Sequence, residues 1–138
     1  QICYHSDRLE QFVSGCVERG VTGSTALLPT IGLMRGAGAL TFMDERVAGI
    51  SIPEALIRRV RQSADESEAA YQMALEQAQH ALSLPGVSGI HLSDFRHDGS
   101  IARLVSDLGL GSPISAPASA QKNEKVEEDH AHGSELAR

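Results

Sequence analysis

One arrangement limits what this chain can become: short apolar runs alternate with longer stretches of helical periodicity. Residues 24–31 (STALLPTI) form the clearest run. They are apolar and rich in strand formers, with Pro29 near the end, where a lost ladder bond matters least. Residues 1–5 (QICYH) and 88–93 (SGIHLS) read as two further strands. Strands separated by helical crossovers pair in parallel with right-handed connections, so the expected class is α/β. Three such strands leave two open edges. Either they belong to a larger sheet or barrel, or the piece is poorly stable by itself.

The helical segments carry their own signals. Asp7 with Glu10 three residues later marks a start, and Leu9, Phe12, Val13, Cys16 and Val17 then repeat on one face up to Gly20. A short helical segment is expected around residues 39–45. In Ser51-Ile52-Pro53-Glu54 the serine suits a cap, the proline the first turn and the glutamate a capping box. The stretch 65–84 is a longer helix whose Ala70, Ala74, Ala78 and Ala81 imply close packing on a neighbour. Pro85-Gly86 stops it, and a last helix is expected over residues 100–108.

These elements place one domain at residues 1–111. Beyond Gly111 the run QKNEKVEEDHAHGSELAR has almost nothing to bury, so residues 112–138 read as a disordered acidic tail. His130 and His132 form an HxH in that tail, a poor metal site. The formal charge is −6, and no basic stripe with interleaved aromatics occurs, which argues against nucleic acid and anionic membrane as partners. Cys3 and Cys16 lack CxxC spacing and read as two buried free thiols in a reducing compartment. No apolar run approaches a membrane span. A soluble cytoplasmic protein is expected, and the opening on Gln1 suggests a piece of a longer chain.

In parallel α/β folds, ligands meet the carboxyl ends of the strands. Those ends are Tyr4-His5, Thr30 with the loop Gly32 to Gly38, and the polar stretch HLSDFRHDG at residues 91–99. The glycine-rich loop matches neither GxGxxG nor GxxxxGK[ST]; a tight turn and a phosphate cradle both remain open. Arg96 suits a bidentate bond to a ligand carboxylate or phosphate. Equally, it suits an ion pair with Asp94 or Asp98, with Asp98 capping the next helix. His91 reads as a core strand residue. No nucleophile elbow, HExxH or acid–base carboxylate pair is present.

The order QICYHSDRLEQFV, TALLPTIGL, FMDERVAGISIPEALIRRV and GVSGIHLSDFR resembles the C-terminal part of the 5,10-methylenetetrahydrofolate reductases. These are flavin enzymes on a (β/α)8 TIM barrel. In the family a glutamine opens the sixth strand, a "P-x-I" begins the seventh unit, an "I-P" starts a helix, and an arginine closes the eighth strand. Gln1, Pro29-Thr30-Ile31, Ile52-Pro53 and Arg96 occupy those places. The resemblance covers residues 1 to about 110 and implies the last three βα units of the barrel. It implies reduction of 5,10-methylenetetrahydrofolate to 5-methyltetrahydrofolate in one-carbon metabolism and methionine biosynthesis. FAD would carry the hydride from NAD(P)H or another donor.

By the same resemblance Gln1 would bond the pterin end of the folate, and Arg96 would face its aminobenzoate or glutamate part. The family's second substrate-contacting glutamine has no counterpart in GAGALTFMDE, where Phe42 offers an aromatic surface instead. The catalytic acid and the flavin-binding strands would lie upstream of Gln1, so this piece by itself would be inactive. The whole protein is expected to be a homo-oligomer. The alternative is a non-catalytic binding or assembly subunit that keeps part of the barrel and has lost the flavin chemistry.

Overall fold

The computed structural model describes residues 1–111. The expected tail at 112–138, with His130 and His132, lies outside the described residues. Helix α1 (Ser6–Glu18) is followed by a short 3-10 turn (Val21–Gly23), strand β1 (Thr30–Leu33), α2 (Ala37–Arg46) and α3 (Glu54–Arg61). Then come α4 (Glu66–Ser83), β2 (His91–Asp94) and α5 (Ser100–Asp107).

β1 and β2 pair in parallel, with Thr30 opposite His91 and Leu33 opposite Asp94. Ile2 makes one parallel bridge to Thr30 on the other side of β1. The lateral order therefore follows the chain order, as when every crossover steps in the same direction. The strand expected over residues 1–5 is thus reduced to a single bridge. A lone segment at a sheet edge has partners on one side only, and ladder pairing lapses there first. The other two strands are shifted later than their apolar runs: Leu27 makes only an isolated bridge to Val87, and Gly32 and Leu33 lie inside β1.

Ile31 and Leu33 point to one face of the sheet, against Tyr71, Ala74, Ala78 and Ala81 of α4 and Leu104 of α5. The alanines bring the α4 backbone close to the sheet, as the sequence implied. Each fully buried leucine there contributes about 2 kcal/mol by leaving water. A second cluster joins Tyr4, Met34, Leu40, Ile57, Val60 and Met73 beneath α2 and α3.

Helix starts follow the sequence unevenly. Asp65 caps α4, its side chain accepting from the Glu68 N–H at 2.9 Å. Such a cap contributes about 1 kcal/mol. Neither Asp7 nor Ser51 caps: α1 starts at Ser6 behind His5, and α3 starts behind Pro53, both without a side-chain cap. Ser51 Oγ is engaged by His5 Nε2 instead, at 3.2 Å. The α1 stripe is also mostly unburied; Val13 is buried, but Phe12 is 62% exposed and Val17 42%. An apolar stripe is only half of an interface, and no described element covers this half.

Phe12, Leu28 and Phe42, each more than half exposed, and the outer edge of β2, unpaired among the described residues, have one expected consequence. The chain by itself self-associates. Sedimentation velocity checks this: concentration-dependent species heavier than the monomer are expected, and a single monomer boundary across concentrations would contradict it.

Candidate functional site

Two loops meet beyond the carboxyl ends of the strands, residues 34–36 after β1 and 95–99 after β2. Arg96 is the residue that joins them. It is 7% exposed although it lies in a loop. Its Nε donates to Asp98 Oδ2 at 2.9 Å, and Nη1 donates to the carbonyls of Met34 (3.0 Å) and Ser67 (2.8 Å). Nη2 donates to Ser67 Oγ at 2.7 Å. A guanidinium has five N–H donors, so four are held within the fold and one on Nη2 is left. Arg35 closes the same junction from the other loop, donating from Nη2 to the Arg96 carbonyl at 2.6 Å.

The two carboxylates flanking Arg96 hold the loop's shape. Asp94 Oδ1 accepts from the N–H groups of Arg96 (2.9 Å) and His97 (3.0 Å), an Asx turn that carries His97 to φ 54°. Asp98 accepts from the N–H and the hydroxyl of Ser100 at the start of α5 while its other oxygen takes Arg96. Of the two structural roles weighed for this stretch, the ion pair forms with Asp98, whereas α5 starts behind Gly99 without a side-chain cap, and Asp98 bonds its first residue, Ser100, from one position further out. His91 is in β2 but exposed, which corrects its reading as a core residue. Its position on the edge strand leaves one side uncovered.

These bonds set the acid behaviour. Ser100's hydroxyl, its N–H and Arg96 hold Asp98 down to about 2. The two backbone N–H groups from His97 and Arg96 lower Asp94 as well. A carboxylate with a depressed folded pKa stabilises the fold above its unfolded value, near 3.9, and this is lost as pH falls through about 2. The melting temperature followed by circular dichroism is expected to drop from about pH 4 downward. In Asp98→Asn the drop is shallower; an unchanged acid profile would rule this cause out.

The glycine-rich loop is a tight turn whose end is already filled. The Ala37 N–H at the start of α2 donates to Glu66 Oε2 at 3.0 Å. A Cβ on Gly36 would come within 3.0 Å of that same oxygen. A carboxylate standing at the helix N-terminus leaves no cradle for a phosphate, and the described residues there do not fit a flavin dinucleotide. Sequence reasoning missed Glu66 and Ser67. The only signal was their place in the first turn of a capped helix, which does not show what they reach across the fold.

The other residues singled out from sequence lie elsewhere. Gln1 is exposed, and its Nε2 donates to the Gly49 carbonyl at 2.9 Å. It precedes the bridge between Ile2 and Thr30 and so stands at the amino edge of the strands, whereas Arg96 stands beyond the carboxyl edge. The structure does not bring these two together. Phe42 is 60% exposed in the second half of α2, away from the buried face of Ala37, Leu40 and Met43. Among the described residues no group of three or more His, Cys, Asp or Glu side chains could hold a metal ion, and no helix is long and apolar enough to cross a membrane.

Residues 1–109 match the family model described as methylenetetrahydrofolate reductase. No curated protein and no solved structure matched the chain.

Proposed function

The chain belongs to the methylenetetrahydrofolate reductase family, a family of folate-related oxidoreductases, and on that premise we propose that it forms the last three βα units of a flavin-dependent reductase barrel. The reaction would be reduction of 5,10-methylenetetrahydrofolate to 5-methyltetrahydrofolate, with electrons from NAD(P)H or another donor. The observation that carries this reading is the family match over residues 1–109, nearly all of the described chain. The chain-ordered parallel pairing of Ile2, Thr30 and His91 supports it, because a barrel's strands follow one another in sequence. FAD would be held by residues outside those described, since the α2 terminus is filled by Glu66. We place the protein in the cytoplasm as a homo-oligomer.

Three residues of this chain would meet the folate. Gln1 presents an exposed side-chain amide, suited to the mixed donor and acceptor edge of a pterin. Phe42 presents an exposed ring. Arg96 organises the rim and has one remaining Nη2 N–H for a ligand carboxylate. For Gln1 and Phe42 to join Arg96 around one ligand, the segments of residues 1–5 and 37–46 must take up other positions in the complete barrel.

The test is a steady-state comparison on the whole protein that carries this sequence. Gln1→Ala is expected to raise the KM for methylenetetrahydrofolate about 10-fold, the worth of a lost ligand hydrogen bond, with a smaller change in kcat. An unchanged KM would remove Gln1 from the folate site. One observation favours a second reading, a non-catalytic assembly subunit: the rim's charged groups are spent on one another. Activity of the whole protein decides between the two.

A further inference from the structure

Strand alternation separates the two sides of the carboxyl rim. Ile31 and Leu33 of β1, with Ile90 and Leu92 at β2, pack with α4 and α5. Successive strand residues point to opposite faces, so Asp94 and Arg96 continue that helix side while Ser93 and Phe95 fall on the other. The bonds agree. Arg96 reaches Ser67 in the first turn of α4, behind the sheet. The Phe95 N–H extends the ladder by one bond, to the Leu33 carbonyl at 3.1 Å. Phe95 therefore stands at the carboxyl end of the face turned away from α4.

Its ring is 42% exposed, yet the loop beneath it has little freedom. Asp94 takes the N–H groups of Arg96 and His97, and Arg35 takes the Arg96 carbonyl. His97 is held at φ 54°, a left-handed conformation that a non-glycine residue rarely adopts. Strain of this kind gathers at ligand sites, where it fixes a side chain ahead of binding. Gly32 lies on the same face and pairs with Ser93. A Cβ there would come to 3.0 Å from Ile2 Cδ1 and Met34 Cε, so the space over Gly32 is filled and offers the ring no room.

We propose that Phe95 is a further substrate contact of this rim, its ring stacking on the aminobenzoyl ring of the folate. The inference rests on the reductase reading, in which the face away from the helices lines the barrel and its carboxyl end is the mouth. The aminobenzoyl ring is the flat part of the substrate next to its carboxylates, and Phe95 directly precedes Arg96, the residue with an N–H left for a carboxylate. Arg96 turns to α4 and steadies the loop, and Phe95 supplies the surface that a planar ring meets.

The test is steady-state kinetics on the whole protein that carries this sequence. Phe95→Leu is expected to raise the KM for methylenetetrahydrofolate about 3- to 10-fold, with kcat changed less than about 2-fold, and Phe95→Tyr to keep the parent KM. A half-exposed side chain carries little of the fold, so both variants melt within about 2 °C of the parent. Competitive inhibition by 4-aminobenzoylglutamate is expected to weaken about 3- to 10-fold in Phe95→Leu, with inhibition by 6-methyltetrahydropterin unchanged. A general disturbance of the site would move both inhibitors together. An active enzyme in which Phe95→Leu keeps the parent KM, Phe95→Tyr loses it, or 4-aminobenzoylglutamate inhibits parent and Phe95→Leu alike would overturn this proposal alone. A whole protein that leaves methylenetetrahydrofolate unreduced would overturn the reductase reading and this inference with it.

Discussion

Arg96→Ala is expected to destabilise the described domain by about 4 kcal/mol, a large part of what a chain of this size has. The substitution leaves the carbonyls of Met34 and Ser67 without their donor and frees Asp98 from its guanidinium partner. It also unties three segments at once: the end of β1, the first turn of α4 and the loop before α5. Arg96→Lys restores less than half of the loss, because one ammonium cannot serve acceptors on three sides as a planar fork does. Denaturant unfolding of the two variants checks the ranking. A loss below about 1 kcal/mol in Arg96→Ala would show that these bonds are replaced by water at little cost.

Tyr71→Ala is the second large effect, also about 4 kcal/mol. Tyr71 is fully buried between β1 and α5, and its hydroxyl donates to Asp107 Oδ2 at 2.6 Å. The Arg103 guanidinium carbon lies 3.8 Å from the ring centroid while its nitrogens bond both oxygens of Glu68 at 2.7 and 2.8 Å. Glu68 is held down to about 2, first by Arg103 and then by Gln72. Tyr71→Phe keeps the ring and its cation contact and loses one hydrogen bond, so about 1 kcal/mol is expected. If Phe and Ala cost the same, the ring's burial is not what joins α4 to α5.

The same tyrosine gives an alkaline signature. Burial, with Asp107 beside the hydroxyl, pushes Tyr71 up to about 12, and burial raises Tyr4 further. A raised folded pKa means that stability is complete below the unfolded value, about 10, and is lost as pH rises through the folded one. The chain has two tyrosines and no tryptophan, so tyrosinate absorbance reports these two side chains alone. No tyrosinate is expected until the fold begins to open.

The helices were the most legible part of the sequence. The alanine-rich stretch 65–84 reads as one helix from local spacing alone, and α4 forms over Glu66–Ser83. The pairing of Arg96 with Asp98 was also visible, because the partners lie two positions apart. What escaped is what crosses the fold. The bonds from Arg96 to Met34 and Ser67 span 62 and 29 positions, and nothing in HLSDFRHDG points to them. The cap expected of Ser51 does not form: α3 starts behind Pro53, and the Ser51 hydroxyl bonds His5, 46 positions away. The α1 stripe was correctly read as apolar, yet Phe12 has no described neighbour to bury it.

The central claim is that this chain is part of a folate reductase, and the reaction itself tests it most directly. The whole protein carrying this sequence should be yellow from bound flavin. It should oxidise NADH or NADPH only when methylenetetrahydrofolate is supplied, yielding the methyl product. A protein that purifies free of flavin and leaves methylenetetrahydrofolate unreduced with either nicotinamide and with an artificial donor would contradict the account.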